Sequence, residues 1–171
     1  MTTLVLTADL CDEFGAEVRA LPPIFQSFGT LRHFHGRVRT VRVAGDNGLV
    51  RRLLAGDGAG QVLVVDGGGS TACALLGDQI AALTVQNGWS GVVIYGCVRD
   101  ADGIDALPVA VRALGTMPVR PATAGAGEVD VAVNIAGVAV VPGDYVYADR
   151  DGILVAGREL RGEGSGMRGA G

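Results

Sequence analysis

The amino-acid sequence predicts an α/β fold in which parallel and antiparallel strands share one mixed sheet. Two apolar, β-branched runs, QVLVVD (61–66) and GVVIYG (91–96), enclose a Gly-rich turn and a helical stretch, which is the pattern of a βαβ unit with parallel strands. The later part of the chain changes to short strands at close spacing, separated by Ala-Gly, Pro-Gly and Asp-Gly turn signals. With 171 residues, 49% of them hydrophobic, the sequence fits a single domain over residues 1–160.

Each element has its own local signal. Alternation of polar residues with valine predicts a half-buried strand over 37–44, and apolar residues at helical spacing predict a helix over 49–55. The elements expected before the βαβ unit are a short helix through residues 10–14 capped by Thr7 or Asp9, an irregular connection over 15–30, the strand over 37–44, a turn at 46–48 and the helix over 49–55. The elements expected from there on are a strand over 61–66, a helix from about Ser70 to Asn87, a strand over 91–96, short strands over 129–135, 138–141, 144–149 and 153–156, and a disordered Gly-rich tail over 161–171.

The charge balance argues against direct binding of nucleic acid. The net charge is −4 and the isoelectric point is about 5.0, whereas nucleic-acid binders usually carry a basic face. The one local enrichment of arginine comprises Arg32, Arg37, Arg39 and Arg42. Because Arg37 and Arg39 share one parity of a predicted strand, we interpret them as a solvated strand face.

The cysteines and the N-terminus predict a cytoplasmic protein with no membrane contact. Cys11, Cys73 and Cys97 are odd in number and form no CxxC motif, so we expect reduced, mostly buried thiols. The segment MTTLVLTADL lacks the basic and long apolar regions of a signal peptide, and no apolar run is long enough to span a bilayer.

Chemistry is expected at the turns that follow the buried strands, because ligands of α/β sheets bind outside the carboxyl ends of strands. The turn DGGGS (66–70) allows a backbone to approach a ligand, but it lacks the lysine of a P-loop and fits an ordinary strand-to-helix turn better. The turn Gly77-Asp78-Gln79-Ile80 indicates a helix start. Its free N–H groups could hold a carboxylate, and an ordinary capped helix explains it equally well.

The turn GCVRD (96–100) places Arg99 and Asp100 directly after a predicted strand. Arginine binds carboxylates through two parallel hydrogen bonds, and aspartate offers an oxygen ligand to a hard cation such as Mg²⁺. Adjacent Arg and Asp also occur as ordinary surface ion pairs, so the residue types leave both interpretations open.

Other polar residues fit structural roles. His33 and His35 flank a phenylalanine and have no acidic neighbour in sequence, so we interpret them as structural, with His35 retained as a candidate base. Asp144, Asp149 and Asp151 fall in predicted turns, where aspartate is favoured for local reasons.

Five segments carry a further signal: DNGLVRRLL, VLVVDGGGS, AALTVQNGWSGVVIYGCVRD, GTMPV and GAGEVDVAVNIAGVAVVPGDYVYADRDGI. Together they resemble the RraA-like family, which contains the regulators of ribonuclease activity A and the class II 4-hydroxy-4-methyl-2-oxoglutarate aldolases. The resemblance spans roughly residues 5–157. It implies a compact αββαβ sandwich, similar to the swivelling domain of phosphohistidine enzymes. It also implies a ring-shaped homotrimer, sometimes paired into a hexamer, with sites at the subunit interfaces.

The resemblance also assigns site residues. It implies that Arg99 binds the substrate and that Asp100 binds a divalent metal cation, Mg²⁺ or Mn²⁺. The substrate-holding turn would consist of Gly77, Asp78, Gln79 and Ile80.

The aldolases of the family carry a glycine, about twenty residues, an Arg-Asp pair, and an acidic residue after two more positions. Here 21 residues separate Gly77 from Arg99, and the Arg-Asp pair is intact. The last acidic position is Gly103, which departs from the pattern, with Asp102 and Asp105 as the nearest possible substitutes.

The resemblance implies a metal-dependent aldolase that cleaves 4-hydroxy-4-methyl-2-oxoglutarate-type substrates to pyruvate. Oxaloacetate decarboxylation would follow as a side reaction, because it passes through the same pyruvate enolate. The sequence contains no lysine, so an imine-forming aldolase is excluded. The alternative is a regulator that inhibits ribonuclease E-type activity by direct binding, and an inactive relative is the third interpretation, for which Gly103 is the warning. Asp100 favours the aldolase, since some regulators of the family lack an aspartate after the arginine.

Overall fold

The computed structural model describes residues 4–160, in which four α-helices pack against a large mixed sheet. The tail predicted to be disordered, 161–171, lies outside the described residues. The helices are α1 (Thr7–Phe14), α2 (Gly48–Leu54), α3 (Asp78–Gln86) and α4 (Ala101–Asp105). The strands are β1 (Val18–Ala20), β2 (Gln26–Phe28), β3 (Phe34–Arg42), β4 (Gln61–Asp66), β5 (Ala74–Leu76), β6 (Gly91–Val98), β7 (Val111–Thr116), β8 (Glu128–Val129), β9 (Val133–Ile135), β10 (Val138–Val140), β11 (Tyr145–Ala148) and β12 (Ile153–Ala156).

The centre of the sheet consists of the parallel strands β3, β4, β6 and β7. Val41 of β3 pairs with Val65 of β4, which pairs with Ile94 of β6, and Ile94 pairs with Ala113 of β7. Parallel strands point the same way, so the chain leaves all four at one edge of the sheet. The predicted parallel pair is confirmed, and the succession α2–β4–β5–α3–β6 contains the predicted αββαβ order.

Antiparallel strands complete the sheet on both sides, which confirms the predicted α/β fold with a mixed sheet. The strand order is β1-β12-β11-β3-β4-β6-β7-β2, with β8 added beside β3 and β5 beside β6. The β9–β10 hairpin forms a separate two-stranded unit.

Both faces of the central strands are buried. Leu63 and Val65 of β4 belong to the cluster that packs against α2, α3 and α4. Val62 and Val64 point to the opposite face and pack in a second cluster that includes residues of the β9–β10 hairpin. Burial on both faces explains why this strand is a continuous apolar run with no alternation.

The predicted helix over 70–87 is wrong in its first half. Residues 74–76 instead form β5, which is fully buried and pairs in parallel with the end of β6. Helix α3 begins only after Gly77, where the sequence suggested a break. The apolar triplet Ala-Leu-Leu fits a buried strand as well as a helix, and the open position beside β6 decided between them.

Two other boundaries also differ from the predictions. The connection over 15–30, expected to be irregular, contains β1 and β2, which pair with strands at the two ends of the sheet. The strand expected over 129–135 is divided into β8 and β9 by Asp130, whose backbone has a φ of 55° and donates its N–H to Thr40. A left-handed residue cannot continue a strand, so the chain turns there.

The arginines of β3 form a solvated strand face, as predicted. Arg39 pairs with Asp130 at 2.8 Å, and Arg42 pairs with Glu128. All four side chains are substantially exposed, so these ion pairs contribute little to stability.

The expectation of mostly buried thiols holds for two of the three cysteines. Cys97 is buried and Cys73 half-buried, whereas Cys11 is exposed on α1, where the prediction is wrong. Among residues 4–160, no helix combines the length and the apolar character needed to cross a bilayer.

Hydrogen bonds to Asp149 link α1 to the end of the sheet. Its carboxylate accepts the N–H and the hydroxyl of Thr7, each at 2.7 Å, and the N–H of Asp151 at 2.9 Å. The predicted cap at Thr7 or Asp9 is therefore wrong. Leu6 precedes the helix without a side-chain cap, because the Thr7 hydroxyl is taken by Asp149.

The hydrogen bonds also determine the ionisation of Asp149. Burial raises the pKa of this carboxyl, but hydrogen bonds from Thr7, Asp151 and Gly152 outweigh burial and leave the pKa below its ordinary value. The ionised form therefore stabilises the fold fully above the unfolded-state pKa of about 3.9. That stabilisation is lost as the pH falls through the lower pKa of the folded state.

We expect Asp149→Ala to reduce the free energy of unfolding by about 2–3 kcal/mol at pH 7, because buried donors lose a charged acceptor. Urea denaturation measures the loss, and the difference from wild type should shrink below about pH 4. Asp151→Ala removes an exposed carboxylate from the same turn and serves as the control, with a change below about 0.5 kcal/mol. Wild-type stability of Asp149→Ala would contradict the role given to this side chain.

Candidate active site

A cleft of about 580 Å³ opens at the edge of the sheet where the parallel strands end. It brings together two of the three turns singled out in the sequence, Gly77-Asp78-Gln79-Ile80 and the Arg99-Asp100 pair. The turn over 66–70 does not line the cleft. Its Gly67 and Gly69 N–H groups donate to the carbonyl of Tyr95, so it is a tight structural turn, as the sequence favoured, but it leads to β5 and not to the predicted helix.

Gly77 allows the Arg99–Asp100 loop to pack against the start of α3. A Cβ at Gly77 would lie 2.6 Å from Oδ2 of Asp100 and 3.6 Å from Cγ of Arg99, so a side chain there would displace the carboxylate from this position. The N–H of Arg99 donates to the carbonyl of Leu76 at 3.0 Å, which continues the pairing of β5 with β6 into the loop. This close approach holds both site residues beside the helix.

Asp100 has a left-handed backbone, with φ 55° and ψ 44°. This conformation is uncommon outside glycine, although aspartate tolerates it better than most residues. It turns the chain sharply from β6 into α4, and Oδ2 of Asp100 accepts the N–H of Asp78 at 3.3 Å. Asp100 itself is exposed, so its remaining oxygen lone pairs face the cleft.

The first turn of α3 presents backbone donors to the cleft. The intrahelical pattern begins with the N–H of Ala81, which donates to the carbonyl of Gly77 at 3.0 Å. The N–H groups of Gln79 and Ile80 precede it and have no helical acceptor. Together with the helix dipole, such groups bind an anionic oxygen favourably.

Asp46 joins the two walls on the other side of the cleft. Its carboxylate accepts the N–H of Gly48 at 2.8 Å and the N–H groups of Ala124 and Gly125, each at 3.0 Å. The hydrogen bond from Gly48 contributes most to holding the pKa of Asp46 below its ordinary value, and bonds from the 124–126 loop add to it against the opposing effect of burial. The turn before α2 and the loop after β7 are thus fixed to each other.

Three arginines of the cleft were missed by sequence reasoning. Arg51 and Arg52 on α2 and Arg120 in the loop after β7 line the same cleft as Arg99. Arg51 and Arg52 lie on the helix that follows β3, and Arg120 lies in the loop that follows β7. The rule that sites lie beyond the carboxyl ends of parallel strands would have found them, had it been applied to all four strands.

The cleft carries two carboxylates, Asp78 and Asp100, among its described lining residues. Within residues 4–160 no three His, Cys, Asp or Glu side chains cluster tightly enough to hold a metal ion on their own. Mg²⁺ is usually bound through one or two carboxylates while it keeps several waters and gains ligands from the substrate. The donor set of Asp78 and Asp100 fits a cation of that kind.

Gly103, the departure from the aldolase pattern, lies opposite Asp78. A Cβ at Gly103 would come within 2.9 Å of Oδ2 and 3.0 Å of Cβ of Asp78, so an acidic side chain there would crowd an existing carboxylate. The neighbouring acids do not replace it. Neither Asp102 nor Asp105 lines the cleft, and Asp105 accepts the N–H of Gly29 at 2.8 Å.

The two histidines lie away from the cleft. His33 and His35 are exposed, and His35 stacks on Tyr147 with ring centroids 5.8 Å apart. Neither residue lines the cleft, in agreement with the structural interpretation.

With this geometry established, comparison with known proteins identifies the family. The model of the RraA-like family, described as Aldolase/RraA, matches residues 7–155. The chain belongs to the RraA-like family. Its curated relatives include proteins of Alkalilimnicola ehrlichii and Dechloromonas aromatica, 51% and 49% identical, each covering about nine-tenths of this chain and 97% of the relative. Both carry the name "putative 4-hydroxy-4-methyl-2-oxoglutarate aldolase".

Solved RraA-like structures share the fold and carry other functional names. The RNA-processing inhibitor RraA from Thermus thermophilis superposes with a TM-score of 0.90 at 46% identity, covering 96% of this chain and 99% of that one. A Geobacillus kaustophilus structure, described as S-adenosylmethionine:2-dimethylmenaquinone methyltransferase, gives 0.89 at 47% identity and covers 91% and 97%. Because one fold carries several functional names, the function has to be argued from the cleft.

We expect Gly77→Ala to lower turnover by about 10- to 100-fold while the fold is retained, because the added methyl displaces the Asp100 carboxylate. Pyruvate release from oxaloacetate, a reaction that we propose for this cleft, is the measurement, and thermal unfolding monitors the fold. Alanine readily adopts the backbone φ of −122° found at Gly77. The substitution therefore strains the contact with Asp100 and not the backbone.

Gly152→Ala is the matched control, because a Cβ there meets nothing within 4 Å. Full activity of Gly77→Ala would show that the contact between Gly77 and Asp100 is unimportant for the reaction.

Proposed function

We propose that the protein is a divalent-metal-dependent aldolase that cleaves 4-hydroxy-4-methyl-2-oxoglutarate-type substrates to pyruvate. The observation that carries the proposal is the convergence of the α3 N-terminus, Arg99 and Asp100 on one wall of the cleft. These groups supply a carboxylate-binding turn, a cation for developing negative charge and an oxygen ligand for a metal. The names of the curated relatives support the aldolase class.

The substrate binds through its 2-oxo acid end. The N–H groups of Gln79 and Ile80 hold the carboxylate at the positive end of α3, as helix N-termini hold anions generally. The guanidinium of Arg99 binds an oxygen of the same end in a planar, bidentate manner. Both contacts orient the scissile C3–C4 bond relative to the Asp100 wall.

Cleavage of the substrate develops negative charge on the C2 oxygen, which Arg99 binds. The C4 hydroxyl loses its proton, the C3–C4 bond breaks, and the electron pair of that bond forms the C2–C3 double bond of a pyruvate enolate. Arg99 stabilises the negative charge that develops on the C2 oxygen, in the way that fixed donors stabilise oxyanions. In this proposal the proton passes to an acidic side chain of a neighbouring subunit, because Asp78 and Asp100, the two carboxylates among the described residues of the cleft, would hold the metal.

Asp100, with Asp78 nearby, would hold Mg²⁺ or Mn²⁺, which when bound supplies Lewis-acid polarisation of the C2 carbonyl. Oxaloacetate enters the same scheme. Loss of carbon dioxide breaks its C3–C4 bond and leaves the same enolate, so Arg99 stabilises it in the same way.

The active assembly in this proposal is a homotrimer, or a hexamer of two trimers, with the clefts at subunit interfaces. Its basis is the resemblance of the chain to the RraA-like family, and the substrate is a small 2-oxo acid.

The test couples pyruvate release from oxaloacetate to lactate dehydrogenase, with Mg²⁺ and with EDTA. Wild type should turn over with Mg²⁺ and fall to the uncatalysed background with EDTA. Asp100→Ala should stay at the background in both conditions. Arg99→Lys should lose on the order of 100-fold of the turnover with Mg²⁺, because lysine keeps the charge and loses the planar fork.

Asp102→Ala is the matched control, since it removes an exposed carboxylate two residues away that does not line the cleft. Turnover of wild type equal to the background, or full activity of Asp100→Ala, would overturn the proposal.

A regulator of ribonuclease activity is the second candidate, because the Thermus thermophilis structure described as an RNA-processing inhibitor is 46% identical over nearly the whole chain. In that role the protein would bind a ribonuclease E-type enzyme directly and would not bind RNA. Inhibition of such a ribonuclease that is equal for wild type and Asp100→Ala would support this second function, since binding of a protein partner does not require the metal site.

A further inference from the structure

The part of the cleft formed by α2 and by the loop after β7 is strongly basic. It carries Arg51, Arg52 and Arg120, and among the described residues none of these three side chains forms an ion pair with a carboxylate. Elsewhere on the molecule arginines do find partners, as Arg39 and Arg158 do. Including Arg99, the cleft has four guanidinium groups against two carboxylates, and it is therefore built to receive an anion.

The local structure around α2 exposes two of these arginines to the cleft. Leu49, Val50 and Leu54 bury one side of α2, which leaves Arg51 and Arg52 on its exposed side. A Cβ at Gly125 would lie 3.5 Å from Nη2 of Arg52, so this guanidinium reaches the loop that carries Arg120.

Asp46 keeps that loop in place. Its hydrogen bonds to Gly48 at the start of α2 and to Ala124 and Gly125 in the loop fix the two segments to each other. All three cations therefore line one cleft, in which like charges repel, and an anion bound there would relieve the repulsion.

We propose that Arg51, Arg52 and Arg120 bind the second carboxylate of the substrate, the one remote from the 2-oxo acid end, and so make the cleft selective for dicarboxylates. This inference rests on the proposed function for the orientation of the substrate. The 2-oxo acid end occupies the α3 and Arg99 wall, and the chain of the substrate crosses the cleft. Guanidinium groups recognise a carboxylate bidentately, and an uncharged methyl at the same place gains nothing from them.

The experiment compares two ligands that differ only at the remote end, 2-oxoglutarate and 2-oxopentanoate. Calorimetric titration in the presence of Mg²⁺ measures the affinity of each for wild type and for Arg51→Gln, Arg52→Gln and Arg120→Gln. Wild type should bind 2-oxoglutarate at least about tenfold more tightly, since hydrogen bonds to charged groups are worth about that factor. Each variant should reduce this preference, and the affinity for 2-oxopentanoate should stay at the wild-type value.

Arg150→Gln is the matched control, because it removes the same charge from an exposed turn at the opposite end of the sheet, next to the start of β3. It should preserve the preference. Equal affinity of wild type for the two ligands, or a preference that survives all three cleft substitutions, would overturn the inference.

The same titrations separate this inference from the proposed function. A preference for 2-oxoglutarate that depends on these arginines supports the dicarboxylate subsite even if the protein releases no pyruvate from oxaloacetate. Release of pyruvate without any such preference would retain the aldolase proposal and refute the subsite.

Discussion

The parallel alignment of β3, β4, β6 and β7 is the constraint from which the rest of this structure follows. Since all four strands run in one direction, every connection that leaves them starts at the same edge of the sheet. The turn before α2, the start of α3, the Arg99–Asp100 loop and the loop with Arg120 are far apart in sequence and meet there. A cleft lined by four separate segments is therefore a consequence of strand direction, and the antiparallel strands at the flanks serve to cover and extend the sheet.

Two glycines determine where the carboxylates of the cleft lie. Gly77 and Gly103 have ordinary local roles in a sequence, but in the fold each of them leaves space for a carboxylate that a side chain would displace. Gly77 makes room for Asp100, and Gly103 makes room for Asp78. The absence of an acid at 103 is thus compatible with a functional site, because the position lies against a carboxylate that the chain already has.

The charge pattern of the cleft indicates what it binds, because the fold itself carries several functional names. The left-handed Asp100, held by the N–H of Asp78, lies beside the positive end of α3. The cleft also contains the arginines of α2 and of the loop after β7, and the Asp46 hydrogen bonds join these two segments. An acidic protein with net charge −4 thus concentrates positive charge where an anionic substrate would enter, while Arg39 and Arg42 of β3 pair with Asp130 and Glu128. The overall charge argues against nucleic acid as a partner, and the local charge of the cleft points to a small anion.

The sequence by itself determined the fold class and the two central segments of the site. The apolar runs of β4 and β6 can be satisfied only by burial on both faces, and the break at Gly77 and the Arg-Asp pair after β6 follow from local chemistry that needs no tertiary contact. Tertiary structure decided the rest, because those features depend on neighbours distant in sequence. Residues 74–76 form a strand because a position beside β6 is open to them. The Thr7 hydroxyl donates to Asp149, so α1 has no side-chain cap of its own. Arg51, Arg52 and Arg120 line one cleft because Asp46 joins the segments that carry them.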